Sequence, residues 1–518
     1  MKTKVLSYVA IFVLLAVMAG CSNGDAVLNT EKEIAANKEN ADLTAFASAD
    51  APNTRTSLDY HSGAFFWEDG DHIYVKDDGN DFKKSSNFVS GTRQAHFKFM
   101  MPGTYTSNSY TVYYPGEDGV NDQVTIAAQQ TQTEPNNTKH FGKAGDCGLG
   151  KAIKNTSGQF DFILEHKASY LCFLPSTSHT LVSTYITKIE VSSDNNIAGS
   201  YTLDAAGNKL TGSGNEKTIT LTTKGSGDYA DGFPLNKNNT SLVTNRAFMV
   251  IAPGYHKLTV KYYIRDVQTN VEGVIVKKLK AFDYVAREYY DIASKLDVKV
   301  CDDKYYMWDA QDEYWAGHKA EQPKKNGVQG SGYPEASDAN RWYNKVKYPT
   351  PASQSAENCP NVNVCIWYCL KGDPHWDNTT LWTTWGHLYV GGMWFKKASV
   401  IASENGKASA AELKKAAPDN KDWATKFVYQ TPYNNDQITS GAPTNISNYF
   451  FLSAMGYYKN GTLEELGQTG CYWSRTPLVY NPENAYSFYF RKDNNNKVNV
   501  VVSNFHKRDG GFQVWRTE

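Results

Sequence analysis

Residues 471–515, CYWSRTPLVYNPENAYSFYFRKDNNNKVNVVVSNFHKRDGGFQVW, restrict the chain to a β architecture more tightly than any other stretch. Across 485–490, Tyr486, Phe488 and Phe490 fall on one face, and Ala485, Ser487 and Tyr489 on the other. That period of two is the signature of a strand with one face turned to a core. Residues 493–496 (DNNN) predict a turn, because Asn and Asp tolerate positive φ and hydrogen-bond their own backbone. The β-branched run 498–503 predicts a second strand, Asp509-Gly510-Gly511 a second turn, and 512–515 a closing strand.

Similar short alternating runs fill the first 300 residues. In 159–165, Phe160, Phe162 and Leu164 form one face, and further strands are predicted at 95–100, 109–114, 123–127, 186–191, 248–252 and 258–262. Eleven of the twelve tryptophans lie after residue 300, so a domain of another kind begins there. A length of 518 residues suggests three or more domains. The 53 basic and 54 acidic side chains nearly cancel, which leaves no basic excess to hold a phosphate backbone and excludes a nucleic-acid partner.

The amino terminus predicts export. Lys2 and Lys4 precede the apolar run 5–18, too short for a permanent membrane helix. Met18-Ala19-Gly20-Cys21 then resembles a bacterial lipobox whose cysteine is acylated, followed by polar Ser22-Asn23-Gly24-Asp25. Each buried acyl CH₂ contributes about 0.8 kcal/mol and firm attachment takes more than one chain, so multiple acylation at Cys21 would anchor the protein to the outer membrane. Residues 22–50 are polar and alanine-rich and read as a tether.

Thr54-Arg55-Thr56-Ser57-Leu58 with Trp67-x-x-Gly70-Asp71-x-Ile73-x-Val75, then I-T-K-I-E-V-S-S from Ile186, A-G-S-Y-T-L-D from Ala198, M-V-I-A-P-G from Met249 and Y-Y-D-I from Tyr289, resemble Bacteroidetes fimbrillin-like proteins over about residues 43–298. Tyr472-Trp473-Ser474-Arg475-Thr476-Pro477, Asn484-Ala485-Tyr486, Val498-Asn499-Val500 and Gly511-Phe512-Gln513-Val514 resemble the Fibrobacter-major-paralogue (FISUMP) domain, itself similar to the C-type-lectin-like fold. That family usually has an arginine directly after the closing valine, whereas here Trp515 precedes Arg516.

Together these imply a mostly β fold class: two antiparallel β-sandwich, fimbrillin-like domains (51–155 and 156–298), then an α+β C-type-lectin-like domain (301–518). The resemblance to pilins implies cleavage after an early arginine and polymerisation with other fimbrial subunits by strand exchange. The candidate processing site is Arg55; an ordinary surface arginine is the alternative. The physics of such exchange is β-augmentation, in which a partner strand satisfies an uncovered sheet edge.

Within 301–518, Val362, Cys365, Ile366, Cys369 and Leu370 have helical spacing behind Pro360, and 408–417 (ASAAELKKAA) predicts a second helix with Ser409 and Glu412 as a capping box. Between them, Asp373, His375, Trp376, Asp377, Asn378, Trp382 and Trp385 crowd a polar span with no sustained period. Such a loop can present flat aromatic faces to a glycan with Asp and Asn as hydrogen-bonding partners, so these seven are the candidate ligand-binding residues, with Trp376, Trp382 and Trp385 expected partly exposed. Most of the domain's tryptophans are expected instead to fill the core of a loop-rich fold, because each buries roughly 150–250 Å². Asp373, Asp377 and Asn378 carry the hard oxygens that calcium takes, but the calcium-lectin pattern E-P-N with a later W-N-D is absent, and neither metal nor cofactor is assigned.

Seven cysteines follow Cys21, an odd number without zinc-ligand pairing. There is no H-E-x-x-H, G-x-S-x-G or phosphate loop. The sequence thus points to a non-catalytic surface or pilus-tip adhesin that binds a glycan or protein surface ligand through its last domain. A structural fimbrial subunit or anchor is the alternative, and an enzyme related to formylglycine-generating enzymes a third. The terminal strand is needed by its own domain rather than free to be donated, which favours a tip or capping position.

Overall fold

The computed structural model describes residues 43–48, 57–59, 64–235, 245–426 and 433–516. Cys21 and Arg55 lie outside the described residues. The protein is mostly β, as its alternating runs require. No helix among the described residues is long and apolar enough to cross a membrane.

A seven-stranded sheet forms the first unit, in the order Phe82–Lys84, Tyr74–Lys76, Ser109–Tyr114, Gly148–Lys154, Phe160–His166, Leu43–Ser48, Lys98–Pro102. The strand Leu43–Ser48 lies within the stretch 22–50 expected to be a tether and corrects that expectation for these six residues. It lies parallel to Phe160–His166 on one side and antiparallel to Lys98–Pro102 on the other. Its Phe46 is fully buried, stacked on Phe160 at 4.7 Å and edge-on to Tyr105 at 5.2 Å. A run as short and alanine-rich as LTAFAS carries too few large side chains to announce a strand; burial of the one phenylalanine sets it.

The second unit holds a six-stranded sheet with the main order Val271–Lys278, Leu258–Asp266, Thr184–Ser193, Thr218–Thr222, Gln129–Thr131, and a smaller sheet of Ala247–Ile251, Ser169–Ser176 and Tyr289–Lys295. The expected boundary at 155/156 does not separate the units. Gln123–Ile126 and Gln129–Thr131 pair with strands of the second unit, while Phe160–His166 belongs to the first. Nor are the sheets purely antiparallel: Leu43–Ser48, Thr218–Thr222 and Tyr289–Lys295 each have a parallel neighbour. Alternation reports which face a residue occupies, not which strand lies beside it.

In the terminal domain the helix Val362–Lys371 forms as its spacing predicts, capped by Asn361, whose side chain accepts from the Val364 N–H. It packs Cys365, Ile366 and Cys369 against the sheet Tyr433–Asn435, Val498–Ser503, Ala485–Lys492, Thr469–Pro477. The expected helix at 408–417 is instead a single 3₁₀ turn, Ala410–Lys414, and the Ser409 side chain makes no cap bond. Only Leu413 within that turn is buried, too little apolar contact to hold a longer helix in place. Ala398–Glu404, not foreseen, is helical.

The closing segment bridges rather than ladders: Phe512 pairs with Tyr306, Gly511 with Tyr458 and Gln513 with Tyr472. Trp515 stacks on Phe488 at 5.4 Å and donates to the Trp473 carbonyl at 2.8 Å. Buried Arg508 lies 4.2 Å over Trp308 and donates to the Asn344, Val346 and Asn484 carbonyls, so it ties the strand-poor segment 301–361 to the sheet.

Every described cysteine is free. Burial pushes the Cys359 and Cys369 thiols up to about 12, and raises that of half-buried Cys301, whose Sγ lies 3.0 Å from Ser453 Oγ. Iodoacetamide should therefore label the folded protein slowly at all seven, Cys301 first, and quickly only in denaturant. One fast-labelling thiol among these seven in the folded protein would favour the enzyme reading.

Candidate functional site

The tryptophan span is a joint. Trp382 is fully buried, stacked on Tyr389 at 4.9 Å, and donates to the Gly391 carbonyl at 2.9 Å. Trp376 is only 5% exposed and meets Phe490 edge-on at 6.2 Å. The expected exposure of these two is therefore corrected: each indole has a core to enter. Trp385 is half-buried at φ 52° in the turn between Trp382–Thr384 and His387–Tyr389.

That hairpin docks on the second unit. The Val182 N–H donates to the Gly386 carbonyl at 2.8 Å, Thr269 Oγ1 donates to the Leu388 carbonyl at 2.8 Å, and Leu388 enters the second unit's core. At the centre lies Asp266, fully buried, accepting from Ser183 Oγ at 2.8 Å, Gln268 N at 2.9 Å, and Thr269 N and Leu388 N at 3.1 Å, with His387 Nδ1 at 3.2 Å. Burial alone would raise its pKa; the bonds from Ser183, Leu388 and Thr269 outweigh that and hold the carboxyl below its ordinary range.

Asp377 is likewise consumed by structure. It is fully buried and accepts from Thr379 N and Oγ1 at 2.7 Å, from Thr380 Oγ1 at 2.6 Å and from Trp394 Nε1 at 3.0 Å. Against the opposing effect of burial, these bonds hold its pKa down to about 2. Asp373 and Asn378 are exposed and His375 is half-buried. Asp373 accepts from Tyr449 O–H at 2.7 Å and lies 3.7 Å from both His375 Nε2 and Lys396 Nζ. The seven residues therefore divide between core, joint and a surface ion cluster. No group of three or more His, Cys, Asp or Glu among the described residues is placed to hold a metal.

A different concavity lies on the far face of the terminal sheet. It is a groove of about 600 Å³ whose floor includes Thr469, Cys471, Tyr489 and Arg491. The hairpin Tyr457–Lys459/Thr462–Glu464 and the loop carrying Phe505, His506, Lys507 and Asp509 form its sides. Phe505 is 55% exposed, 6.4 Å from Tyr489 and 4.8 Å from the His506 ring. Opposite this aromatic side, Arg491 pairs with Glu465 at 2.6 Å, and Glu465 also accepts from Thr469 Oγ1 at 2.5 Å. His506 Nδ1 lies 2.6 Å from Ser487 Oγ, and burial lowers the imidazole pKa to about 4, so the ring is neutral at pH 7.

That shift has a measurable sign. The unfolded ring takes a proton near pH 6.5 and the folded one only near 4, so stability is full above about 6.5 and declines below it, by about 2 kcal/mol at pH 5 from this group. The urea midpoint should fall between pH 7 and pH 5, and by less in a His506→Gln variant; an equal fall in both would remove the histidine from the account.

The groove was missed because its residues come from four separate segments. One signal pointed to it: Tyr489 alternates away from the Phe488/Phe490 core face, and Arg491 follows on the same side.

No family model matches the chain, and no curated protein matches it in sequence. Similar solved structures include a "putative cell adhesion protein" from Bacteroides fragilis (12% identity, TM-score 0.28, covering 50% of this chain and 94% of that one). Another is the fimbrial anchor protein from Porphyromonas gingivalis (10% identity, TM-score 0.22, 47% and 83% covered). A third, from Bacteroides thetaiotaomicron, is titled a "putative polysaccharide binding" protein (12% identity, TM-score 0.24, 49% and 92% covered).

Proposed function

We propose that this protein is an exported, lipid-anchored adhesin of the cell surface or fimbria, and that its terminal domain binds a glycan in the Tyr489–Phe505 groove. The observation that carries the reading is the make-up of that groove: an exposed phenyl face at Phe505 beside Tyr489, with Glu465, Arg491, Lys459, Asn460 and Asp509 around it. A pyranose ring has apolar C–H faces and a rim of hydroxyls. An aromatic side chain takes the first, and charged or amide groups fixed by one another take the second. The volume suits a mono- or disaccharide.

Assembly with other fimbrial subunits is the second part of the reading, and the position of Leu43–Ser48 supports it. A strand paired on both sides and joined onward through Arg55 is the kind of segment whose release would leave a strand-shaped slot for a partner.

A glycan array probed with the full chain tests the first part. Phe505→Ala and Tyr489→Ala should each weaken binding tenfold or more, on the order of 1–3 kcal/mol for a lost aromatic face, with unchanged thermal unfolding for Phe505→Ala. Binding that persists in both variants would move the site elsewhere, and no binding by the folded chain would favour a structural subunit.

A further inference from the structure

The second unit's larger sheet ends in a long uncovered strand. Val271–Lys278 pairs along its whole length with Leu258–Asp266, and among the described residues no strand pairs with its other side. Natural sheets usually blunt such an edge with a proline, a bulge, a very short strand or charged side chains, lysine above all; of these devices this strand carries only Glu272 and its terminal Lys277 and Lys278. Here there are eight regular residues, VEGVIVKK, without proline or bulge. On the solvent face Val274 and Val276 are 44% and 49% exposed, flanked by Glu272 at one end and Lys278 at the other. Val271 and Ile275 point the other way, into the second unit's core, and Leu381 fills the space above Gly273.

The order of residues on the solvent face is self-complementary. If a second copy of the strand is laid antiparallel with a two-fold axis at Ile275, residue numbers across the pair sum to 550. Glu272 then faces Lys278 of the other copy, Val274 faces Val276, and both contacts recur by symmetry. Opposite charges and branched apolar side chains directly across an antiparallel pair are stabilising, and a two-fold contact uses the same patch on both copies. The axis at Ile275 also serves the outward N–H and C=O groups whichever alternate set they are. Arg265 pairs with Glu272 at 3.6 Å, with the carboxylate 73% exposed, and it remains alongside in the paired arrangement. On the inner face Gly273 stands opposite Lys277.

We propose that the edge Val271–Lys278 is a self-association surface, occupied by the same strand of a second copy of this chain in the register Glu272–Lys278, Val274–Val276. The contact joins the two second units into one continuous sheet and leaves the glycan groove out of the pairing, so two copies would present two grooves together.

Sedimentation equilibrium of the full chain, from low micromolar to about 500 μM, tests it. A reversible dimer is expected. Glu272→Lys or Lys278→Glu should each weaken it about tenfold by setting like charges opposite one another, and the double variant should restore it. Restoration would not follow if either change merely disturbed the fold. For the register, oxidation of a mixture of Val274→Cys and Val276→Cys chains should cross-link, while each variant alone should not. A chain that stays monomeric throughout, a dimer indifferent to both charge reversals, or cross-linking of Val274→Cys with itself would each overturn the proposal.

Discussion

Replacing Phe46 with alanine should destabilise the first unit by about 3–5 kcal/mol, the usual cost of deleting a buried phenyl group from a packed core. Phe46 is fully buried between Phe160, at 4.7 Å and nearly parallel, and the edge of Tyr105. It is the one large buried side chain on its strand. The strand therefore depends on it, and its loss should expose the backbone groups of Phe160–His166 and Lys98–Pro102 that now pair with Leu43–Ser48. Hydrogen exchange should show loss of protection in those two strands first, with the terminal domain unchanged. If the subunits exchange strands, a peptide spanning residues 43–48 should compete for the vacated slot and restore protection. Uniform loss of protection across all three units would mean that Phe46 supports the whole chain and that the strand is not separable.

Asp266→Ala should be the most damaging polar substitution at the joint, costing about 3 kcal/mol or more. A buried carboxylate that satisfies several N–H and O–H groups leaves each of them unpaired when it is removed. Two of its partners, Leu388 N and His387, belong to the terminal domain; Ser183, Gln268 and Thr269 belong to the second unit. The expected result is a split calorimetric transition, with the terminal domain and the second unit unfolding separately, where the native chain unfolds them together. Asp266→Asn should be milder, because an amide oxygen still accepts while its NH₂ cannot serve the N–H donors. A single transition in Asp266→Ala would show that Leu388 and Leu381 hold the joint by apolar burial alone.

The joint also shows how far sequence could go. Trp376, Trp382 and Trp385 fall in a span without period, and an aperiodic, polar, tryptophan-rich span reads as a displayed loop. Whether an indole is displayed depends on what faces it, and for Trp382 that is Tyr389 beneath a hairpin seated on another domain. His387 and Leu388 gave no sign of that seat, since Asp266 lies more than a hundred residues away in sequence.

What the sequence determined by itself was local: the period-two runs that become strands, the turn at 493–496 where Asn496 takes φ 62°, and the helix Val362–Lys371. These rest on side-chain sterics and on hydrogen bonds within a few residues, which the chain carries wherever it lies. Only the tertiary structure decided which strands are neighbours, that 123–131 crosses into the second unit, that Leu43–Ser48 is core rather than tether, and that the groove gathers Tyr457, Tyr489, Arg491 and Phe505. The physical reason is the same in each case. A strand's alternation fixes its two faces but leaves its edges open, and edges are closed by segments whose distance along the chain no local pattern records.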